Sequence, residues 1–118
     1  MILNFETEII SPAIEVSNEA HQDYASQNNA SVYIASVLSS IGGIDSQLED
    51  LCEIAKNRNL ITFMANYVGK SGGYECAGKS SVWNEKGELM GQLGDKEEGL
   101  IIFDTKSKEI RTVTKSWS

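Results

Sequence analysis

The segment from Leu60 to Phe103 constrains this chain most, because four apolar runs alternate there with three segments that break a strand. Leu60-Ile61-Thr62-Phe63-Met64-Ala65-Asn66-Tyr67-Val68 is β-branched, aromatic and uncharged, the composition of a strand buried on both faces. Gly69-Lys70-Ser71-Gly72-Gly73 reads as a hinge that ends it. Ser80 to Trp83 and Gly87 to Leu93 flank Asn84-Glu85-Lys86-Gly87, which has the chemistry of a hairpin turn. Gly99 to Phe103 is then expected to close the sheet. Everything upstream has to pack on this sheet or extend it.

Upstream, Phe5 to Ile14 alternates weakly and predicts one strand ending at Ser11-Pro12, since proline has no amide to donate. Ser17 or Asn18 followed by Glu19 predicts a helix N-terminus, with the helix running to about Gln27. Ser31 to Ser39 is a second apolar, β-branched run and belongs in the middle of a sheet. Asp45 or Ser46 is expected to cap a second helix, whose Leu48, Leu51, Cys52 and Ala55 make one apolar stripe. Strand, helix, strand, helix, strand is a βαβ rhythm, so parallel neighbours are expected. The stretch from Asp104 to Ser118 fits either a marginal strand or a loose arm.

The charge balance excludes several functions. A net charge of −7 over 118 residues opposes binding to nucleic acid and to an anionic membrane surface. The first 55 residues carry nine acidic groups and no Lys or Arg, while all ten basic residues lie from Lys56 onward. Such asymmetry is either a solvated acidic surface or a face for a basic partner. No run approaches the roughly 18 apolar residues of a membrane span, and the start lacks the basic and apolar regions of a signal peptide. A cytoplasmic chain with Cys52 and Cys76 reduced is the expectation.

Few residues carry obvious chemistry. His21 is the single histidine, and a thiol–imidazole pair would require Cys52 or Cys76 beside it. Cys52 falls on the helix stripe and reads as a small core residue. Cys76 follows Gly72-Gly73-Tyr74-Glu75, in a loop where a thiol could be exposed. Gly69 to Gly73 lacks the spacing of a phosphate loop, and no metal-ligand spacing exists, so neither metal nor cofactor is expected.

Met64-Ala65-Asn66-Tyr67-Val68-Gly69, Ser71 to Trp83, Asn84 to Leu89 and Glu97-Glu98-Gly99-Leu100, in that order, resemble the C-terminal half of the carbon–nitrogen hydrolase (nitrilase) superfamily. Ala30 to Ser36 resembles the strand after that family's catalytic strand. The resemblance spans about Ser17 to Asp104, while residues 1–16 match poorly and residues 105–118 form a tail. It implies an α/β fold: half of an α-β-β-α sandwich, with a mixed sheet and two helices on one face, in one partial domain over residues 1–118. It also implies hydrolysis of amide, nitrile or carbamyl bonds by a Cys nucleophile, a Glu base and a Lys that stabilises the tetrahedral intermediate.

The chain departs from that pattern where the nucleophile belongs. If Glu15 stands for the acidic residue that follows it, Ala13 occupies the cysteine's place, so no catalytic residue is assigned. The Glu and Lys of the family lie in an N-terminal half without counterpart here. Inactivity alone is therefore expected, with a complementary N-terminal half or a second copy as partner. The alternative is a non-catalytic ligand-binding or interaction module, with Ser39, Asn66, Tyr74 and Glu75 on its pocket rim. A small thiol hydrolase using Cys76 and His21 is the third reading.

Overall fold

The computed structural model describes residues 2–5, 8–13, 19–71 and 73–114. Its centre is a six-stranded mixed sheet in the order β1-β2-β3-β4-β7-β8. The strands are β1 (Leu3–Phe5), β2 (Glu8–Ala13), β3 (Val32–Val37), β4 (Ile61–Asn66), β7 (Ser81–Trp83) and β8 (Leu89–Gln92). β2, β3 and β4 run parallel, joined by helices α1 (Glu19–Gln27) and α2 (Ile44–Arg58), as the βαβ rhythm requires. Two hairpins lie outside the main sheet: β5 (Val68–Ser71) with β6 (Tyr74–Ala77), and β9 (Gly99–Phe103) with β10 (Ile110–Thr114).

Side chains alternate strictly between two cores. β3 sends Tyr33 and Ala35, and β4 sends Met64, to the face covered by both helices, where they meet Ala25, Leu51, Ile54 and Ala55. Val32, Ile34, Ile61, Phe63 and Val82 point the other way, and Ile101, Phe103 and Ile110 of the β9–β10 hairpin pack over them. The Phe63 and Phe103 rings meet edge to face at 6.3 Å. The molecule thus has a helix layer, a sheet, and the beginning of a second β layer. The end of α2 is tied to the middle of α1 by Arg58, which donates to the Asp23 carboxylate at 2.8 Å.

Several expectations need correction. Leu3–Phe5 and Glu8–Ala13 make two antiparallel strands rather than one, and β2 continues through Pro12 to Ala13. Among the described residues β1 pairs only with Glu8 to Ile10, so on the side of β2 that lacks the Pro12 amide no described strand needs it. The expected cap at Ser17 or Asn18 lies outside the described residues. α2 starts one residue before Asp45, with Gly43 as its N-cap and no side-chain capping bond. Ile44 is buried, and that apolar contact sets the helix start in place of a hydroxyl cap. β9 pairs with β10 alone and does not close the main sheet. The C-terminal stretch is a strand over Ile110–Thr114. The loop before it is stitched by Asp104, whose Oδ1 accepts from the amides of Ser107 (3.0 Å) and Lys106 (2.9 Å). Those bonds hold its carboxyl below the usual aspartate range.

Among the described residues one buried side-chain polar atom is unpaired. The Tyr33 hydroxyl has no hydrogen-bond partner among the described residues, although the ring is fully buried. Burial pushes the phenol pKa up, and the Arg58 charge pulls it back in part. Tyr33→Phe keeps the ring packing and removes a desolvated hydroxyl. It is expected to leave stability unchanged or to raise it by up to about 1 kcal/mol, as read from the urea midpoint.

Candidate functional site

The carboxyl ends of β3 and β4 meet at Asn66. The main chain turns off the sheet there, so the expected strand from Leu60 to Val68 is split in two and Val68 opens β5. The Asn66 carboxamide continues the ladder in place of the backbone. Its Oδ1 accepts from the Ser39 amide (2.8 Å), and its Nδ2 donates to the Ser39 carbonyl (3.1 Å). Nδ2 also donates to Gly78 O (2.9 Å), while Oδ1 accepts from the Tyr67 amide (2.9 Å). Both amide hydrogens and both oxygen lone pairs are spent. Ser80 Oγ accepts from the Asn66 amide at 2.9 Å and closes the node.

Of the four rim candidates, the structure brings Ser39 and Asn66 together but leaves them to hold the backbone. Ser39 is buried, and its carbonyl also accepts from the Ala77 amide at 2.8 Å. Glu75 is exposed on β6, opposite Lys70, and its carbonyl accepts from the Ile41 amide. Tyr74 opens β6 opposite Ser71, and its side chain lies outside what is described. Asn66 lines a cavity.

That cavity, of about 190 Å³, has Tyr67, Lys79, Ser80, Glu97 and Glu98 in its walls. Lys79 reaches it from a left-handed backbone position (φ 56°), directly after Gly78 (φ 61°). A methyl group at Gly78 would press on the carbonyl oxygens of Gly94 and Asp95 at 2.9 and 3.0 Å, which is why glycine stands there. Sequence reasoning passed over Lys79. A non-glycine left-handed residue leaves no mark in apolar periodicity.

Cys52, Cys76 and His21 lie on three different elements. Cys76 is buried in β6 rather than exposed in a loop, and Ser40 pairs with it in an isolated β-bridge. Cys52 is half-buried on α2, and its Sγ donates to Gly87 O at 3.2 Å, pinning the β7–β8 turn to the helix. His21 sits on α1. No cluster of three or more His, Cys, Asp or Glu suited to a metal occurs among the described residues. No helix among them is long and apolar enough to cross a membrane. Ala13 is the last residue of β2, level with Ala35 of β3, so position 13 does stand at the carboxyl end of a parallel strand. Its side chain and residues 14–18 lie outside the description.

An α/β layer of this kind, a mixed sheet with two helices on one face, is the architecture of nitrilase-fold enzymes. The chain is similar to the NitN amidase from Neterenkonia sp. AN1, with a TM-score of 0.74 at 19% identity over 81% of this chain and 38% of that one. It is also similar to a cysteine-to-alanine mutant of the amidase from Nesterenkonia sp. AN1 in complex with butyramide, with a TM-score of 0.75 at 17% identity, over 97% and 40%. A glutamate-to-glutamine mutant of that amidase, carrying the acetamide moiety of fluoroacetamide covalently added at its active-site cysteine, matches equally well (TM-score 0.75, 17% identity, 97% and 40%). The fold is shared. This chain spans about two fifths of the length of those amidases. No protein-family model and no curated protein matches it.

Proposed function

We propose that this chain is the C-terminal half of a carbon–nitrogen hydrolase-type sandwich and does not hydrolyse C–N bonds by itself. The observation that carries the reading is Ala13, an alkyl side chain on the last residue of β2, where the resemblance puts the attacking sulfur. Burial of Cys76 and the carbonyl-bonded Cys52 support it, since a thiol nucleophile has to be accessible to its substrate. A complementary half is the partner this reading favours. Leu100, Ile102 and Val113 expose their side chains on the outer face of the β9–β10 hairpin, which offers apolar area for such a half to cover. A cytoplasmic setting agrees with two free thiols.

Ammonia release from butyramide tests this directly. The chain alone is expected to match buffer. An added N-terminal half of a nitrilase-fold amidase is expected to raise the thermal midpoint, and to restore turnover only with Ala13→Cys. Turnover by the chain alone that vanishes with Cys76→Ser would refute the proposal.

A second reading, a ligand-binding module on the same fold, is favoured by the cavity at the end of β4 and by a second one beside it, about 230 Å³, between the sheet and β9.

A further inference from the structure

Two apolar surfaces stay uncovered among the described residues. The first is a floor on the main sheet. β10 is set against β8 and β9 against β7, which leaves β4 and β3 beyond the edge of the hairpin. Beside that edge opens the cavity of about 230 Å³, floored by Ile34, Phe63 and Ala65 and walled by Leu100. Ser36 and Ala65, toward the carboxyl ends of β3 and β4, are exposed, and none of the floor residues is charged. The second surface is the outer side of the hairpin. Leu100 pairs with Val113 and Ile102 with Arg111, so their four side chains share one face, and all four are exposed. An arginine can keep its guanidinium in water while its stem lies on apolar surface.

Floor and hairpin are each two strands wide, and they lie side by side on one side of the main sheet. A twofold axis along β9 would lay the hairpin of each copy on the floor of the other. Each copy then gives one hairpin and one floor, which is the condition for a closed, isologous pair. The area agrees with such a contact. The chain exposes 7289 Å², about 1000 Å² more than the roughly 6300 Å² expected of a compact monomer of 12.9 kDa. A standard interface takes about 800 Å² from each partner.

We infer that the chain on its own is a homodimer, in which the outer face of each β9–β10 hairpin packs on the Ile34, Phe63 and Ala65 floor of the second copy. The inference goes beyond the C-terminal-half reading and does not need it. A complementary half would cover the same surfaces, so the half and the second copy exclude each other.

Sedimentation equilibrium at micromolar concentrations tests this. The chain is expected to show twice its mass of 12.9 kDa. Ile102→Lys on the hairpin and Ala65→Glu on the floor, both at exposed positions, are each expected to give a folded monomer by circular dichroism. Mixed one to one, the two variants should associate again. The mixed pair keeps one unaltered hairpin-to-floor contact and sets lysine against glutamate across the other. Leu89→Lys, at an exposed position paired with Trp83 of the helix-covered core, should stay dimeric. A monomeric wild-type chain, a dimer that both variants leave intact, or variants that stay apart when mixed would overturn the inference and leave the complementary-half reading standing. A dimer that releases ammonia from butyramide would sink that reading and leave the dimer in place.

Discussion

Asn66→Ala is expected to destabilise the chain by about 2–4 kcal/mol, although the side chain is only half-buried. The carboxamide makes four bonds at 2.8–3.1 Å to three separate segments, the ends of β3 and β4 and the Gly78 bend. Truncation leaves the amide of buried Ser39 without its partner and its carbonyl with the Ala77 amide alone, and it is the stranded amide, more than the lost bonds, that sets the cost. Asn66→Asp should fare no better. It keeps an oxygen for the Ser39 and Tyr67 amides but turns a second, charged oxygen toward two carbonyl oxygens. Urea denaturation should show a lower midpoint at unchanged slope for both variants. A loss below about 1 kcal/mol would mean that water replaces the carboxamide freely.

Gly99→Ala is expected to cost about 2–3 kcal/mol, more than Gly91→Ala, although both add one methyl group at a close contact. At Gly99 the methyl would lie 2.5 Å from the Val113 carbonyl oxygen, a backbone atom of the paired strand. β9 and β10 can relieve that contact only by parting. At Gly91 the clash is with the end of the Ile110 side chain, which can turn aside. Hydrogen exchange should show the β9–β10 amides opening in the Gly99 variant while β3 and β4 stay protected. Equal losses at the two sites would contradict backbone contact as the cause.

The sequence made the helix-covered layer legible because one period rule governs each element there. β3 and the α2 stripe were readable from β-branched runs and i, i+3, i+4 spacing, and the β7–β8 turn from Asn84 to Gly87, where Gly87 adopts φ 80°. What stayed hidden depends on contacts distant in sequence. An apolar run cannot reveal that Asn66 ends β4 by substituting its side chain for a backbone rung. Nor can it reveal that Gly99 to Phe103 leaves the main sheet, since a strand on a second layer has the same composition as one in the first. Cys76 was misplaced for a similar reason: glycines before it signalled a loop, yet Gly73 (φ 84°) lies in the turn of the β5–β6 hairpin, and Ser40, 36 positions upstream, pairs with Cys76 in a β-bridge. The site was legible only as a missing group, Ala13, and the left-handed Lys79 left no sequence signal at all.

A carboxyl edge of parallel strands without a sulfur on it is the point everything above depends on. The most direct measurement is the rate at which fluoroacetamide modifies the native chain, followed by intact-mass spectrometry against glutathione as a free-thiol standard. The account predicts that neither Cys52 nor Cys76 reacts faster than glutathione and that unfolding in urea speeds both. Stoichiometric adduct on one cysteine of the folded chain, formed many times faster than with glutathione and lost on unfolding, would contradict it.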